Sequence, residues 1–245
     1  MKRPADIPPF IVIAFWIAIW QITSVIIDNS IIFVGPAEVL HSFSVLLTRP
    51  DFSKSIVQTF CKISLGFLLA FFTGIMTGSL SCRFRVLNDL LKPPVLLMKS
   101  VPVASFVILA LIWIGSKNLS VFISFIVVFP VIYINTRSGL AAADIRLLEM
   151  ARVFGIGLPK KIRYIYVPAL MPYLISGCNV ALGMSWKSGI AAEVIGVPSN
   201  TIGEHLYLSK INLSTADLFA WTIVIILISA LFEKIFLTLL RLVNV

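Results

Sequence analysis

Few residues of this chain are equipped for chemistry, and none are spaced for catalysis. The two histidines, His41 and His205, stand alone. The three cysteines, Cys61, Cys82 and Cys178, are odd in number and lack C-x-x-C spacing, which indicates neither a disulfide framework nor a metal site. No G-x-x-x-x-G-K-[ST] phosphate loop occurs. No cofactor is expected. What remains are ionisable side chains in apolar surroundings: Lys187 beside Trp186, Lys62, and Glu193 a little beyond Lys187. A charge buried unpaired in a bilayer costs several kcal/mol, so such groups are candidates for a solute pathway. Lys187 with Trp186 suits an anion. Two readings of Lys187 stand: it lines a pathway, or it snorkels to the outer interface. Glu193 is expected to pair with Lys187 or to contact an external protein.

A second group of residues is spaced for docking. Leu148-Glu149-Met150-Ala151-Arg152-Val153-Phe154-Gly155 predicts a helix that stops at Gly155, where a left-handed glycine suits the end. After a tight turn through Gly157, a second helix opens at Leu158-Pro159, proline being at home in a first turn. Glu149 lies three residues from both Arg146 and Arg152 and is expected to pair locally. Ala151 keeps the helix surface low. The expected result is a helix–turn–helix that a soluble partner grips.

These groups need elements to hold them, and composition says what those are. Of 245 residues, 59% are apolar and 13% charged, with a mean hydropathy of +1.01. A soluble domain keeps roughly a quarter of its residues charged. The apolar residues come in blocks near the ~20 residues that a spanning helix requires. The expected class is all-α and polytopic, with six spans: Phe10–Ile27, Ile56–Ser81, Val95–Ile114, Leu119–Asn135, Ala169–Ala191 and Leu218–Leu239. The first follows Met1-Lys2-Arg3 but lacks a small-residue cleavage site, and is read as a retained helix rather than a signal peptide.

The net charge of +9 is explained by topology and does not call for nucleic acid. With the N-terminus inside, thirteen basic residues fall on the inner side: Lys2, Arg3, Arg83, Arg85, Lys92, Arg137, Arg146, Arg152, Lys160, Lys161, Arg163, Lys234 and Arg241. Four fall outside: Arg49, Lys54, Lys117 and Lys210. Such a bias puts both termini in the cytoplasm. Small residues recur every fourth position at Gly66, Ala70, Gly74, Gly78 and Cys82, and again at Gly177, Ala181, Ser185 and Gly189, predicting close helix contacts. Pro93, Pro94 and Pro102 predict a broken third span with Lys99 near the break. Pro36 is expected to open a short interfacial helix.

The segment from Glu149 to Pro168 resembles the coupling loop of ABC importer permeases: Glu-Ala-Ala, three residues, Gly, nine residues, Ile, one residue, Leu-Pro. Glu149, Ala151, Gly155, Ile165 and Pro168 match at that spacing, with Met150 for the second alanine and Val167 for the leucine. Val34-Gly35-Pro36-Ala37-Glu38-Val39-Leu40, the stretch from Lys92 to Gly115, and Ala191-Ala192-Glu193-Val194-Ile195-Gly196 resemble the nitrate/sulfonate/taurine-type branch. The resemblance implies one permease domain over residues 1–245 with the type I (MetI-like) importer fold, and a cytoplasmic coupling loop at 136–168. It implies two P-loop ATPase subunits, an extracytoplasmic substrate-binding protein or lipoprotein, and a second copy of this chain, all assembled at the cell membrane. The implied substrates are small anions or vitamin-like solutes, with Glu149, Met150, Ala151, Gly155, Ile165 and Pro168 meeting the ATPase. ATP hydrolysis would lie with that separate subunit, so no enzyme activity is expected here. A gradient-driven transporter is the alternative, but the spans hold almost no acidic residue, Glu233 being the exception.

Overall fold

A computed structural model describes residues 8–242; Lys2 and Arg3 of the charge argument lie outside them. The long first helix, α1 (Pro9–Ile27), is apolar on every side. It touches the rest through Trp20, whose Nε1–H donates to the Val34 carbonyl at 2.8 Å. Next comes α2 (Pro36–Leu47), with Pro36 at its start and Glu38 in its first turn, where a carboxylate favours the helix dipole. Its buried residues Val39, Ser42 and Leu46 form one stripe.

The body of the protein is made by α3 (Phe52–Arg83), the bent pair α4 (Arg85–Ser100) and α5 (Val103–Ile114), α6 (Leu119–Ala141), and a long helix that ends in α9 (Val167–Gly196). Among the described residues, five helices are long and apolar enough to cross a membrane, and six if the bent pair is one span. The pair turns by 109° at Val101-Pro102, with Lys99 in the last turn of α4. The break falls where Pro102 predicts it. The prolines Pro93 and Pro94, expected ahead of this span, are inside α4, which starts at Arg85.

Both small-residue stripes face α6. A Cβ on Gly66 would lie 2.4 Å from the Val121 carbonyl oxygen and 2.9 Å from Ser124 Cβ. On the other side, a Cβ on Gly189 would come within 2.8 Å of Ser124 Oγ and Ile63. The central helix is thus wedged between α3 and α9 at backbone distance, where packing rather than hydrophobicity drives association. The main core follows from this: Phe67, Ile132, Cys178, Leu182 and Trp221 are all buried. Cys61 and Cys82 are exposed instead.

The segment 136–168 contains the expected helix–turn–helix, and its helices join those of the flanking spans. The helix α6 runs on to Ala141, α7 spans Ile145–Val153, and α8 (Leu158–Lys161) passes through a π turn at Ile162–Tyr166 straight into α9. Sequence boundaries stop at the apolar blocks, whereas the helices continue past them into charged residues. A helix that the apolar pattern does not announce, α10 (Ile202–Ile211), joins α9 to the last span, α11 (Thr215–Leu242).

Candidate functional site

The docking segment is built from its caps. Asp144 opens α7 by accepting the Arg146 N–H at 2.8 Å. At the other end Ile156 N–H donates to the Ala151 carbonyl at 2.9 Å, and Gly155 N–H to the Arg152 carbonyl at 3.2 Å. This is the Schellman pair, and it needs a left-handed residue: Gly155 has φ +61°. Gly157 then caps α8, with Pro159 in its first turn. Ala151 and Ile165 are buried and fasten the knob, while Glu149, Met150, Gly155 and Pro168 are exposed.

What the knob presents is apolar and basic. Val153 is 83% exposed and Phe154 74%, with Ile145 and Leu158 of the same segment also exposed. Arg146, Arg152 and Lys160 lie among them, exposed as well. Clustered apolar groups rimmed by charge mark a protein contact. The expected pairing of Glu149 is not made: the ion pair found among the described residues is Arg49–Asp217 at 3.3 Å. Exposed pairs contribute little, so nothing compels the Glu149 carboxylate to fold back on its own helix. It projects outward.

Of the pathway candidates, Lys62 comes within electrostatic range of Glu193, while Trp186 and Lys187 lie on different faces of α9. Trp186 is buried, its ring centroid 6.1 Å from Phe60 and 6.3 Å from Phe232. Lys187, next in sequence, is exposed and lies on another face of α9. That helix ends at Gly196 rather than Ala191, so Lys187 sits nine residues, roughly 14 Å, short of its end. Lys62 is half-buried on α3.

Glu193 is not paired with Lys187. It is 0% exposed; its Oε2 accepts from Thr59 Oγ1 at 2.8 Å and from the Gly203 N–H at 3.3 Å. Thr59 Oγ1 in turn accepts the Ile202 N–H at 2.9 Å. Farther along α10, His205 stacks on Trp221 with centroids 4.6 Å apart, and its Nε2 lies 2.9 Å from Ser55 Oγ. Burial pushes the His205 imidazole below the ordinary histidine range; Arg49 adds to this and Glu204 and Asp51 oppose it. Sequence reasoning missed Thr59 and Ser55 and left His205 standing alone, because His205 and the Ile202 partner of Thr59 lie on a helix it did not anticipate. The signal was Thr201-x-x-Glu204: Thr201 Oγ1 accepts the Glu204 N–H at 3.3 Å, and Glu204 accepts the Asn200 N–H.

Residues 66–244 match the model of the family described as binding-protein-dependent transport system inner membrane component. The putative aliphatic sulfonates transport permease protein of Bacillus subtilis is 26% identical over 89% of this chain and 79% of its own. The nitrate import permease protein of Synechococcus elongatus is 25% identical over 90% and 89%. Among solved structures, an amino acid ABC transporter with histidines superposes with a TM-score of 0.60 at 20% identity, covering 82% of this chain and 96% of that one. The methionine ABC transporter MetNI, in inward-facing conformations, gives 0.55 at 16% identity over 78% and 95%. The fold is the type I (MetI-like) importer permease fold that the sequence leads one to expect.

Proposed function

The chain belongs to the family of binding-protein-dependent transport system inner membrane components, and on that premise we propose that it forms the translocation pathway of an ATP-driven importer of small anions. The observation that carries the coupling half of this reading is the knob at Ile145–Lys161, with Val153 and Phe154 exposed beside a Schellman turn. It offers a cytoplasmic ATPase subunit exposed apolar side chains interspersed with arginine and lysine, with Glu149 exposed as well. ATP hydrolysis belongs to that separate subunit. The bias of basic residues puts the knob and both termini in the cytoplasm. A binding protein then delivers solute at the opposite face. The names of the sulfonate and nitrate relatives support an anionic substrate.

One chain carries one knob, and two ATPase subunits need two, so the assembly is a permease dimer bound to an ATPase dimer. Native mass spectrometry of the detergent-purified complex is expected to give two copies of each. A stable, transport-active complex with one permease copy would refute this stoichiometry.

Lys187 is the proposed anion-attracting group of the pathway. Its position well inside α9 supports this, because a lysine near the end would reach the interface directly. Lys187→Ala is expected to reduce uptake of nitrate and alkanesulfonate at least fivefold in vesicles, with an unchanged melting temperature. Uptake equal to wild type would assign the side chain to the lipid interface.

A further inference from the structure

The strongest unexplained feature lies at the far end of the helix that leaves the knob. From Leu158 to Gly196 the chain is one helical body of 39 residues, so Glu193 stands roughly 50 Å from the α7–α8 turn along it. There a fully buried carboxylate bonds to two other elements at once. Its Oε2 takes Thr59 of α3 and the Gly203 N–H of α10. The fit is tight: a Cβ on Gly203 would lie 2.2 Å from Glu193 Cβ. The other oxygen, Oε1, completes no hydrogen bond, and the buried hydroxyl of Ser120 on α6 stands near the carboxylate without completing one either. A buried polar group left unpaired is unusual and calls for an explanation.

We propose that Glu193 is a positioning residue that clamps the start of α10 to α3 and α9, so that displacement of α9 by the ATPase is felt at the face where the binding protein docks. The inference rests on the importer reading and extends it to the opposite end of the protein. Several observations agree. The first turn of α10 has two of its N–H groups, those of Ile202 and Gly203, spent on Thr59 and Glu193. A second tie follows one turn later through Ser55 and His205. The far ends of α3 and α9 therefore add polar ties to the apolar hold on α10, whose Ile202 is buried in the main core with Leu206 packed against it. Side-chain ties of this kind break and re-form with small shifts of the helices that carry them. The half-satisfied carboxylate leaves Oε1 available for another arrangement, for which the Ser120 hydroxyl on α6 is an unused donor.

The test uses the full permease–ATPase complex in lipid nanodiscs, as wild type, Glu193→Ala, Glu193→Gln and Thr59→Val. Backbone hydrogen exchange is followed at 202–205 and, as an internal reference, at 123–133 of α6. ATP hydrolysis is measured with binding protein saturated in turn with nitrate, an alkanesulfonate and bicarbonate. Glu193→Ala is expected to speed exchange at 202–205 at least tenfold, leave 123–133 unchanged and cut stimulated hydrolysis to a third or less. Glutamine keeps the acceptor and adds a donor toward Ser120, so Glu193→Gln is expected to recover at least half of both. Thr59→Val removes the central hydroxyl without opening a cavity. It is expected to loosen α10 about threefold, and it decides the matter should Glu193→Ala fail to fold. Unchanged exchange in Thr59→Val and Glu193→Ala overturns the clamp. Faster exchange with full stimulation overturns its part in coupling. A wild-type complex that no loaded binding protein stimulates contradicts the importer reading, while the exchange comparison still decides the clamp.

Discussion

Gly155→Val is expected to leave the permease in the membrane, folded and dimeric, but to lower ATPase association and stimulated hydrolysis at least tenfold. The reason is local. Gly155 has φ +61°, a region that costs an L-residue about 1–2 kcal/mol and is worst for β-branched side chains. A Cβ there meets nothing within 4 Å, so the penalty is backbone strain, not a clash. The chain relieves it by releasing the Ile156–Ala151 and Gly155–Arg152 bonds, which re-aims Phe154 and the start of α8. Asparagine tolerates the left-handed region, so Gly155→Asn is expected to retain most of the coupling. Glu149→Ala tests the partner contact without touching the turn, because Glu149 is exposed and has no ion-pair partner among the described residues. It is expected to weaken association several-fold with no change in thermal stability. Normal co-purification and normal stimulation in both Gly155→Val and Glu149→Ala would remove the main support for this coupling site.

Gly66→Ala is expected to have the opposite character: loss of the folded protein, not of coupling. The added Cβ would sit 2.4 Å from the Val121 carbonyl oxygen, a backbone atom that cannot rotate away. Relief requires α3 and α6 to separate along a contact that includes Gly74 against Ile132 and Gly78 against Thr136. Overpacking of this kind costs about 1–3 kcal/mol, and more where backbone opposes it. Gly183→Ala is the matched control, since a Cβ there meets nothing within 4 Å and alanine favours a helix. Thermal unfolding in detergent is expected to fall by about 5–10 °C for Gly66→Ala, consistent with a loss of about 2–3 kcal/mol, and to hold for Gly183→Ala. Equal melting of the two variants would mean that the α3–α6 contact yields more easily than its geometry implies.

The features legible in the sequence were those written in local patterns. Small residues at every fourth position announced the close contacts of α3 and α9, though not that α6 is the partner of both. Pro102 led to the break between α4 and α5, and Gly155 with Pro159 to the turn between α7 and α8. The relations that span the chain were not legible. Glu193 and Thr59 are 134 residues apart, and no local pattern ties them. Charge and proximity in sequence pointed instead to Lys187, which faces elsewhere on the same helix. The Glu149 pairings followed helical spacing correctly, but exposed charges have little to gain from meeting. The helix α10 scatters its apolar residues, with Leu208 and Ile211 exposed while Ile202 and Leu206 reach the core, and Glu193, Thr59 and Ser55 add polar ties; the legible signal was the Thr201-x-x-Glu204 cap.

The central claim is that this chain moves solute only when an ATPase drives it through the Glu149–Pro168 segment. Proteoliposomes containing the chain with its ATPase subunits, and with a loaded binding protein supplied outside, test it most directly. Uptake of labelled nitrate, alkanesulfonate and bicarbonate is followed with ATP inside, without ATP, and under an imposed proton or sodium gradient alone. The account predicts uptake of one of these anions that requires ATP, the ATPase and the binding protein together, and that Gly155→Val abolishes. Uptake by the permease alone, driven by an ion gradient and indifferent to ATP, would contradict it.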